Sequence, residues 1–278
     1  MTTDQVTVVV MTRDRWPDLS RTLSRHEAPV VVVDNGSQDG TPERIRAAYP
    51  SVEVVALNTN LGAPARNIGV QRARTPYVAF ADDDSWWAPG SLERAAQILD
   101  EHPRLGLLAA RILVSPDEAP DPVCAEMAAS PLGTEPDLPG PSVLGFLACA
   151  AVVRRGAFLE VGGFDDVVFF MGEEERVALD LAAAGWGLAY CDDVVAHHEP
   201  SEVRDRTARA ARARRNELLT AVMRRPWGVV LRTLGRAVSS PVGRRAAVDA
   251  LSAAWPALRA RRVLPAHVEQ AREVLTSR

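Results

Sequence analysis

Three consecutive carboxylates, Asp82-Asp83-Asp84, follow directly on the strand-like run Tyr77-Val78-Ala79-Phe80-Ala81. Hard divalent cations such as Mg2+ or Mn2+ prefer carboxylate and phosphate oxygens, and they usually keep a protein carboxylate while bridging a substrate diphosphate. A cation held in this way neutralises charge that develops on a departing diphosphate. Taken alone, the triplet equally suits a solvated acidic turn, so its neighbours decide.

Two polar loops supply them. Val31-Val32-Val33-Asp34-Asn35-Gly36-Ser37-Gln38-Asp39-Gly40-Thr41 sets an acid, an amide and turn residues after a β-branched run. Asp34 there is placed to accept from a base or a ribose hydroxyl, although Asn-Gly and Asp-Gly are also ordinary turn chemistry. Asn58 to Gly69 (NTNLGAPARNIG) gives a polar loop and a helix start, with Arg66 aimed where a diphosphate would sit. Further along, Gly172 precedes Glu173-Glu174-Glu175, which as bare residues merely favour a helix N-terminus through its dipole.

The elements that position these groups follow from pattern. Val6–Met11 and Val30–Val33 are short apolar runs, as expected of strands buried on both faces of a parallel sheet, and Pro17–His26 between them reads as a helix. Thr41-Pro42 predicts a helix start with Thr as N-cap, Val52–Leu57 a third strand, and Asn67–Arg74 a helix. In an open α/β sheet ligands collect at the carboxyl ends of strands, where the triplet falls. Ser91–His102 predicts the next helix. Residues 115–142 hold seven prolines and predict an irregular excursion over one side of the site. An apolar strand over Leu144–Val153 follows, then a helix over Arg155–Val161, the turn Gly162-Gly163, and a helix from Glu173 to Ala184. Two short strands, Leu188–Cys191 and Val194–Ala196, lead to His197 and His198.

Composition narrows the class. The chain has 278 residues, 47% of them hydrophobic and 24% charged, which supports a substantial core. No run approaches the ~20 apolar residues of a membrane span, and the N-terminus has no basic segment leading an apolar one, so a cytoplasmic protein is expected. Cys124, Cys149 and Cys191 lack metal-site spacing and read as reduced, partly buried small residues. The net charge of −4 hides an asymmetry. Residues 200–278 carry 17 Arg against 6 Asp or Glu, a net +11, and residues 1–199 a net −15. The basic part lacks a recognition motif and stacking aromatics, so no nucleic-acid partner is expected.

The combination VVDNGSxDGT after a strand, NxNxGxxxARNxG, and YVxFxDDD resembles the family 2 glycosyltransferases. The likeness continues at Gly162-Gly163-Phe164-Asp165, at Phe170 to Glu175, at Ala184-Gly185-Trp186 and at His197, so it covers residues 6–200 in the family's order. It implies the GT-A fold, an α/β, Rossmann-like mixed sheet that binds a nucleotide-diphosphate sugar. Residues 1–200 would form this catalytic domain, with a nucleotide-binding half about 1–110 and an acceptor half about 111–200. Residues 201–278 would be an Arg-rich helical appendage broken at Pro226, Pro241, Pro256 and Pro265.

Roles follow from the resemblance. Thr12, Arg13 and Asp34 fall where the nucleoside is held, and Asn60, Arg66 and Asn67 where donor ribose, diphosphate or sugar is contacted. Asn35 and Gly62, in the same loops, join them as donor-binding residues. Asp82 and Asp83 stand near the donor, Asp84 and Asp82 on the metal, Mg2+ or Mn2+. A late His, here His197, completes the metal shell in many relatives; a lone His ending a strand also suits a structural role. Glu173-Glu174 match the family's Glu-Asp pair, whose second acid is the usual general base, so Glu174 is the first candidate and Glu173 the next. Where the family commonly shows ED-x-D-L-x-x-R, this chain has Glu at the second acid, Arg176 at the following Asp and Asp180 at the Arg. Which of Glu173, Glu174 and Glu175 faces the acceptor stays open.

The expected activity is an inverting, bacterial-type transfer from a nucleotide-sugar donor to an unidentified acceptor, whether glycan, lipid-linked or small molecule. A nucleotide-sugar binding protein without catalysis is the alternative. Arg214-Arg215-Asn216 is similar to an Arg-Asn segment that follows the catalytic region in the family. With Trp227 and Trp255 on apolar stripes between arginines, residues 201–278 suit peripheral membrane contact at the inner face, packing on the acidic domain, or a homodimer.

Overall fold

A computed structural model describes residues 4–200 and 206–277. The chain alternates strand and helix from the start: β1 (Val6–Thr12), α1 (Trp16–Thr22), β2 (Val30–Asp34), α2 (Thr41–Ala48), β3 (Glu53–Ala56), α3 (Ala65–Arg72) and β4 (Tyr77–Asp82). The second part of the sheet adds β5 (Ser85–Trp87), α4 (Ser91–Glu101), β6 (Leu105–Val114), β7 (Ala119–Pro120), α5 (Pro122–Ala128), β8 (Ala151–Arg154), α6 (Arg155–Glu160), α7 (Glu173–Ala183) and β9 (Gly187–His198). Five helices follow: α8 (Arg206–Arg224), α9 (Trp227–Val238), α10 (Pro241–Leu251), α11 (Ala254–Arg259) and α12 (Ala266–Thr276).

The strands form one mixed sheet in the order β3-β2-β1-β4-β8-β6-β9-β5, with β7 on β6. β3, β2, β1 and β4 run parallel, β8 runs against both β4 and β6, and β9 runs parallel to β6. This is the mixed α/β sheet that the resemblance implies. Val6, Val8, Val9, Val10, Val32 and Val33 are all fully buried, because helices cover both faces of the parallel part. α3 packs closely at Gly69, where a Cβ would lie 2.4 Å from the Val9 side chain.

Several local expectations are corrected. The apolar run Leu144–Val153 is not one strand: Ala148–Ala150 form a 3-10 turn, and only Ala151–Arg154 join the sheet. The two strands expected over 188–196 are one. β9 pairs Cys191 with Ala110 and then Val195 with Arg111, so Asp192-Asp193-Val194 form a bulge within a continuous strand. Thr41 is the first residue of α2, capped by the Asp39 carboxylate, which accepts from the Thr41 amide at 3.0 Å and hydroxyl at 2.6 Å. α3 starts two residues before the expected Asn67, and the 115–142 excursion contains β7 and α5.

The three cysteines are free and buried, as expected. The terminal helices bury their own apolar residues, with Leu219, Met223, Ala253 and Ala257 clustering around Val168 of the sheet part. Among the described residues no helix is long and apolar enough to cross a membrane.

Candidate active site

A cavity of about 640 Å³ opens at the carboxyl ends of β1 and β4, with the acidic triplet in its wall. The local chain makes this placement. β4 ends at Asp82, whose amide donates to Ser85 Oγ at 2.8 Å, and the chain turns at once into β5. β5 runs against β9, setting Ser85 opposite His198 and Trp86 opposite His197. The three acids therefore occupy a two-strand corner fixed at both ends.

Each carboxylate has a distinct partner. Asp82 Oδ1 accepts from Arg66 Nη2 at 2.5 Å. Asp83 Oδ2 accepts from Thr12 Oγ1 at 3.1 Å, and its Oδ1 lies 2.9 Å from Arg15 Nε. Asp84 stands 3.5 Å from both Arg15 Nη2 and His198 Nε2. Burial pushes the Asp83 carboxyl up to about 8, against the opposing pull of Arg15. Burial alone would lower Arg66, but Asp82 and then Glu173 reverse that and hold the guanidinium charged.

Arg66 is 2% exposed, and its Nε and Nη1 are buried without a partner. A buried donor with no acceptor costs on the order of 1–3 kcal/mol. Glu173 Oε2 is likewise buried and unpartnered.

Glu173 and Glu174 enter the cavity from the first turn of α7, and Glu175 does not. Its Oε1 instead accepts from Arg272 Nε of α12 at 2.6 Å. The structure thus reduces three glutamates to two. Burial raises both, and the charge of Glu173 adds to the rise at Glu174. The loop before them is tightly bound. Phe169 and Met171 have φ of 61° and 76°, and Phe169 O accepts from the Ala63 amide at 2.6 Å. Gly62 is required there: its φ is +68°, and a Cβ would meet Phe169 O at 2.4 Å.

Thr12, Arg13, Asn35, Asn60, Gly62 and Arg66 all line the cavity with the triplet. Two expected donor residues do other work. Asp34 lies behind the wall, its Oδ1 accepting from the Ser37 amide at 3.0 Å while its Oδ2 is buried and unpartnered. Asn67 holds the 162–164 turn, donating to Phe164 O at 2.7 Å and accepting from Phe164 N at 3.0 Å.

His197 and His198 separate because neighbouring strand residues face opposite ways. His197 Nδ1 lies 2.6 Å from Glu118 Oε2, and its ring stacks on Trp86. His198, not His197, is the histidine brought to the triplet.

Arg15, Asp121, Cys149, Arg209 and Arg212 also line the cavity without having been expected there. Burial raises the Cys149 thiol well above its ordinary range, which disfavours the thiolate. The departure at 176 and 180 has a structural meaning. Arg176 ion-pairs with Asp180 one turn on, and Arg224 Nε donates to Asp180 Oδ1 at 2.6 Å. The pattern's Asp and Arg are exchanged, and in this chain the two positions pair with each other.

The mixed α/β sheet thus carries an acidic corner, a buried arginine and a glutamate pair on one cleft. The family model described as glycosyl transferase family 2 matches residues 7–162. The chain belongs to that family and is a glycosyltransferase. It is 30% identical over 237 residues to the N-acetylglucosaminyl-diphospho-decaprenol L-rhamnosyltransferase of Mycobacterium tuberculosis, an alignment covering 71% of this chain and 77% of the relative. The pre-mycofactocin glycosyltransferase of the same organism is 34% identical over 215 residues, or 74% of this chain, which spans only 45% of that relative. Among solved structures, the mannosyltransferase PcManGT from Pyrobaculum calidifontis, in complex with GDP-Man and Mn2+, superposes with a TM-score of 0.59 at 22% identity, covering 96% of this chain and 73% of that one. S. aureus TarS 1-349 gives 0.60 at 16% identity, covering 96% and 83%. These two likenesses establish the shared GT-A fold.

Proposed function

We propose that this enzyme moves a sugar from a nucleoside-diphosphate sugar to an acceptor hydroxyl with inversion, in a reaction that needs Mg2+ or Mn2+. The observation that carries the reading is the convergence of the Asp82–Asp84 triplet, buried Arg66 and the Glu173-Glu174 pair on one cavity.

The donor set suits a hard cation. Carboxylates of Asp82 and Asp84 with the His198 imidazole would hold it, and oxygens of the donor diphosphate would complete the shell. Among the described residues no three His, Cys, Asp or Glu side chains gather into a metal site. Two structural neighbours, PcManGT and GalNAc-T7, were solved with Mn2+. Bound there, the cation supplies neutralisation of the leaving diphosphate.

The chain's own residues do the rest. Arg66, anchored by Asp82, offers Nε and Nη1 to diphosphate oxygens. Thr12, Arg13, Asn35 and Asn60 border the part of the cavity that takes the nucleoside, and Asp34 and Asn67 hold the loops behind them. Glu174 takes the proton of the acceptor hydroxyl as that oxygen bonds to the anomeric carbon and the bond to the diphosphate breaks. Glu173 sits beside Arg66 and raises the proton affinity of Glu174. A sugar hydroxyl carried on a lipid diphosphate is the first acceptor class to test, since the relative named above acts on such a molecule.

The configuration of the product tests the reading. Proton NMR of the new glycosidic bond is expected to show the anomeric configuration opposite to the donor's, and a retained configuration overturns direct displacement.

A further inference from the structure

We infer that helices α9 to α11 dock this enzyme on an anionic lipid bilayer. This surface lies outside the cavity above, and the inference is independent of the catalytic reading.

α9 has two apolar faces where one would suffice. Val229, Val230 and Ala237 are buried against the neighbouring helices. Trp227, Leu231, Leu234 and Val238 recur at steps of four, three and four, which puts them within an arc of about 60° on a different side of the helix. All four are exposed, Leu231 at 66%. The neighbouring helices also expose large apolar residues: Leu251 at the end of α10 is 71% exposed and Trp255 of α11 is 69% exposed. α9 packs on α10 and α10 on α11, so the exposed groups belong to one helical cluster. Scattered apolar residues on a surface are ordinary, but large ones recurring on one helical stripe mark an interaction site.

Charge selects the occupant. Arg244 and Arg245 of α10, Arg259 of α11 and Arg262 shortly after it are exposed, and no acid pairs with any of them among the described residues. Of the four acids in the described part, Glu269 pairs with Arg225 at 2.6 Å and Glu217 with Arg214 at 3.1 Å, which leaves exposed Asp249 and Glu273 against the larger number of arginines. An anionic lipid surface meets both features at once, since tryptophan and leucine enter the interface while arginine stems reach headgroup phosphates. A second copy of this chain would bring the same unpaired arginines face to face, which is unfavourable.

The test is vesicle flotation of the full chain, with phosphatidylcholine vesicles compared with phosphatidylcholine containing phosphatidylglycerol. The parent is expected to float with the anionic vesicles and weakly with the neutral ones. Arg259→Gln with Arg262→Gln is expected to weaken partition roughly 10- to 30-fold, because each basic residue near an anionic surface contributes roughly fivefold. Leu231→Glu with Leu234→Glu is expected to abolish flotation while thermal unfolding and donor hydrolysis without vesicles match the parent. The inference is overturned if the parent ignores anionic vesicles, if both double variants float as the parent does, or if light scattering finds a parental dimer that Leu231→Glu with Leu234→Glu dissolves.

Discussion

The side-chain amide of Asn216 donates to the carbonyls of both Phe170 and Met171, each at 2.7 Å. Asn216 is 1% exposed on α8, in the Arg-rich part, whereas Phe170-Met171 lead into Gly172 and the Glu173-Glu174 pair. The basic helices thus reach back and hold the loop that presents the candidate base. That loop needs holding, because Phe169 and Met171 adopt left-handed backbone, which costs on the order of 1–3 kcal/mol per residue unless its surroundings impose it.

Asn216→Ala removes both bonds. Turnover is expected to fall about 10- to 100-fold through displacement of the glutamates, with donor affinity nearly unchanged because the triplet and Arg66 lie on other elements. Steady-state kinetics beside calorimetric donor titration separates the two. Loss of donor affinity with kcat preserved would contradict the positioning role.

Glu174→Gln keeps shape and removes the base. General-base assistance contributes roughly 10²–10⁴-fold, so turnover should drop by that much while the donor still binds. Glu173→Gln, which leaves the base intact, should cost less. Transfer by Glu174→Gln at the parental rate disproves the assignment. The raised affinity of Glu174 for its proton moves the acid limb of the rate profile above the ordinary carboxylate range. Activity should rise with pH through that limb, and Glu174→Gln should flatten it.

Asp83 gives a stability signature without metal. Its folded pKa of about 8 lies above the unfolded value, near 3.8, so across that window the folded state keeps a proton that the unfolded state releases. The protonated carboxyl therefore favours folding below the window, and the benefit is lost as pH rises towards 8. In EDTA, the melting temperature of the parent should fall between pH 5 and pH 8 more steeply than that of Asp83→Asn. Parallel slopes would show that Asp83 titrates normally.

Asp180 answers two buried arginines, Arg176 and Arg224. Asp180→Asn takes the acid from Arg224 and leaves Arg176 with Asp165 alone, and breaking such a buried pair costs about 3–5 kcal/mol. Chemical denaturation should report a loss of that size. A change under about 1 kcal/mol would mean that Asp165 and neighbouring carbonyls suffice for both guanidiniums.

The parallel half of the fold was legible in the sequence, because strands buried on both faces must be β-branched runs and their ends must carry the polar loops. Asp82–Asp84 and Arg66 emerged from that logic, and Gly62 only through the resemblance. β5 did not, since three residues following an acidic turn carry no period. β9 read as two strands because Asp192-Asp193 interrupt its apolar pattern, and only pairing with β6 shows a bulge. The same alternation explains the histidines: sequence gives two at a strand end, and the face each takes depends on register with β5. Asp121 reaches the site from a distant segment and leaves no local mark, and Asn216 stood out only through the resemblance, with no sign of the loop it holds. Asn67, expected at the donor, is spent on the Phe164 turn, a contact across 97 positions that no short pattern reveals.

The central claim is that a cation held at the triplet grips the donor diphosphate. Isothermal titration of UDP, GDP and dTDP into parent and Asp84→Asn, each with Mn2+ and with EDTA, addresses it most directly. At least one nucleotide should bind the parent with Mn2+, with affinity falling tenfold or more in EDTA and in Asp84→Asn. Equal affinity in all four conditions for every nucleotide that binds would contradict the account.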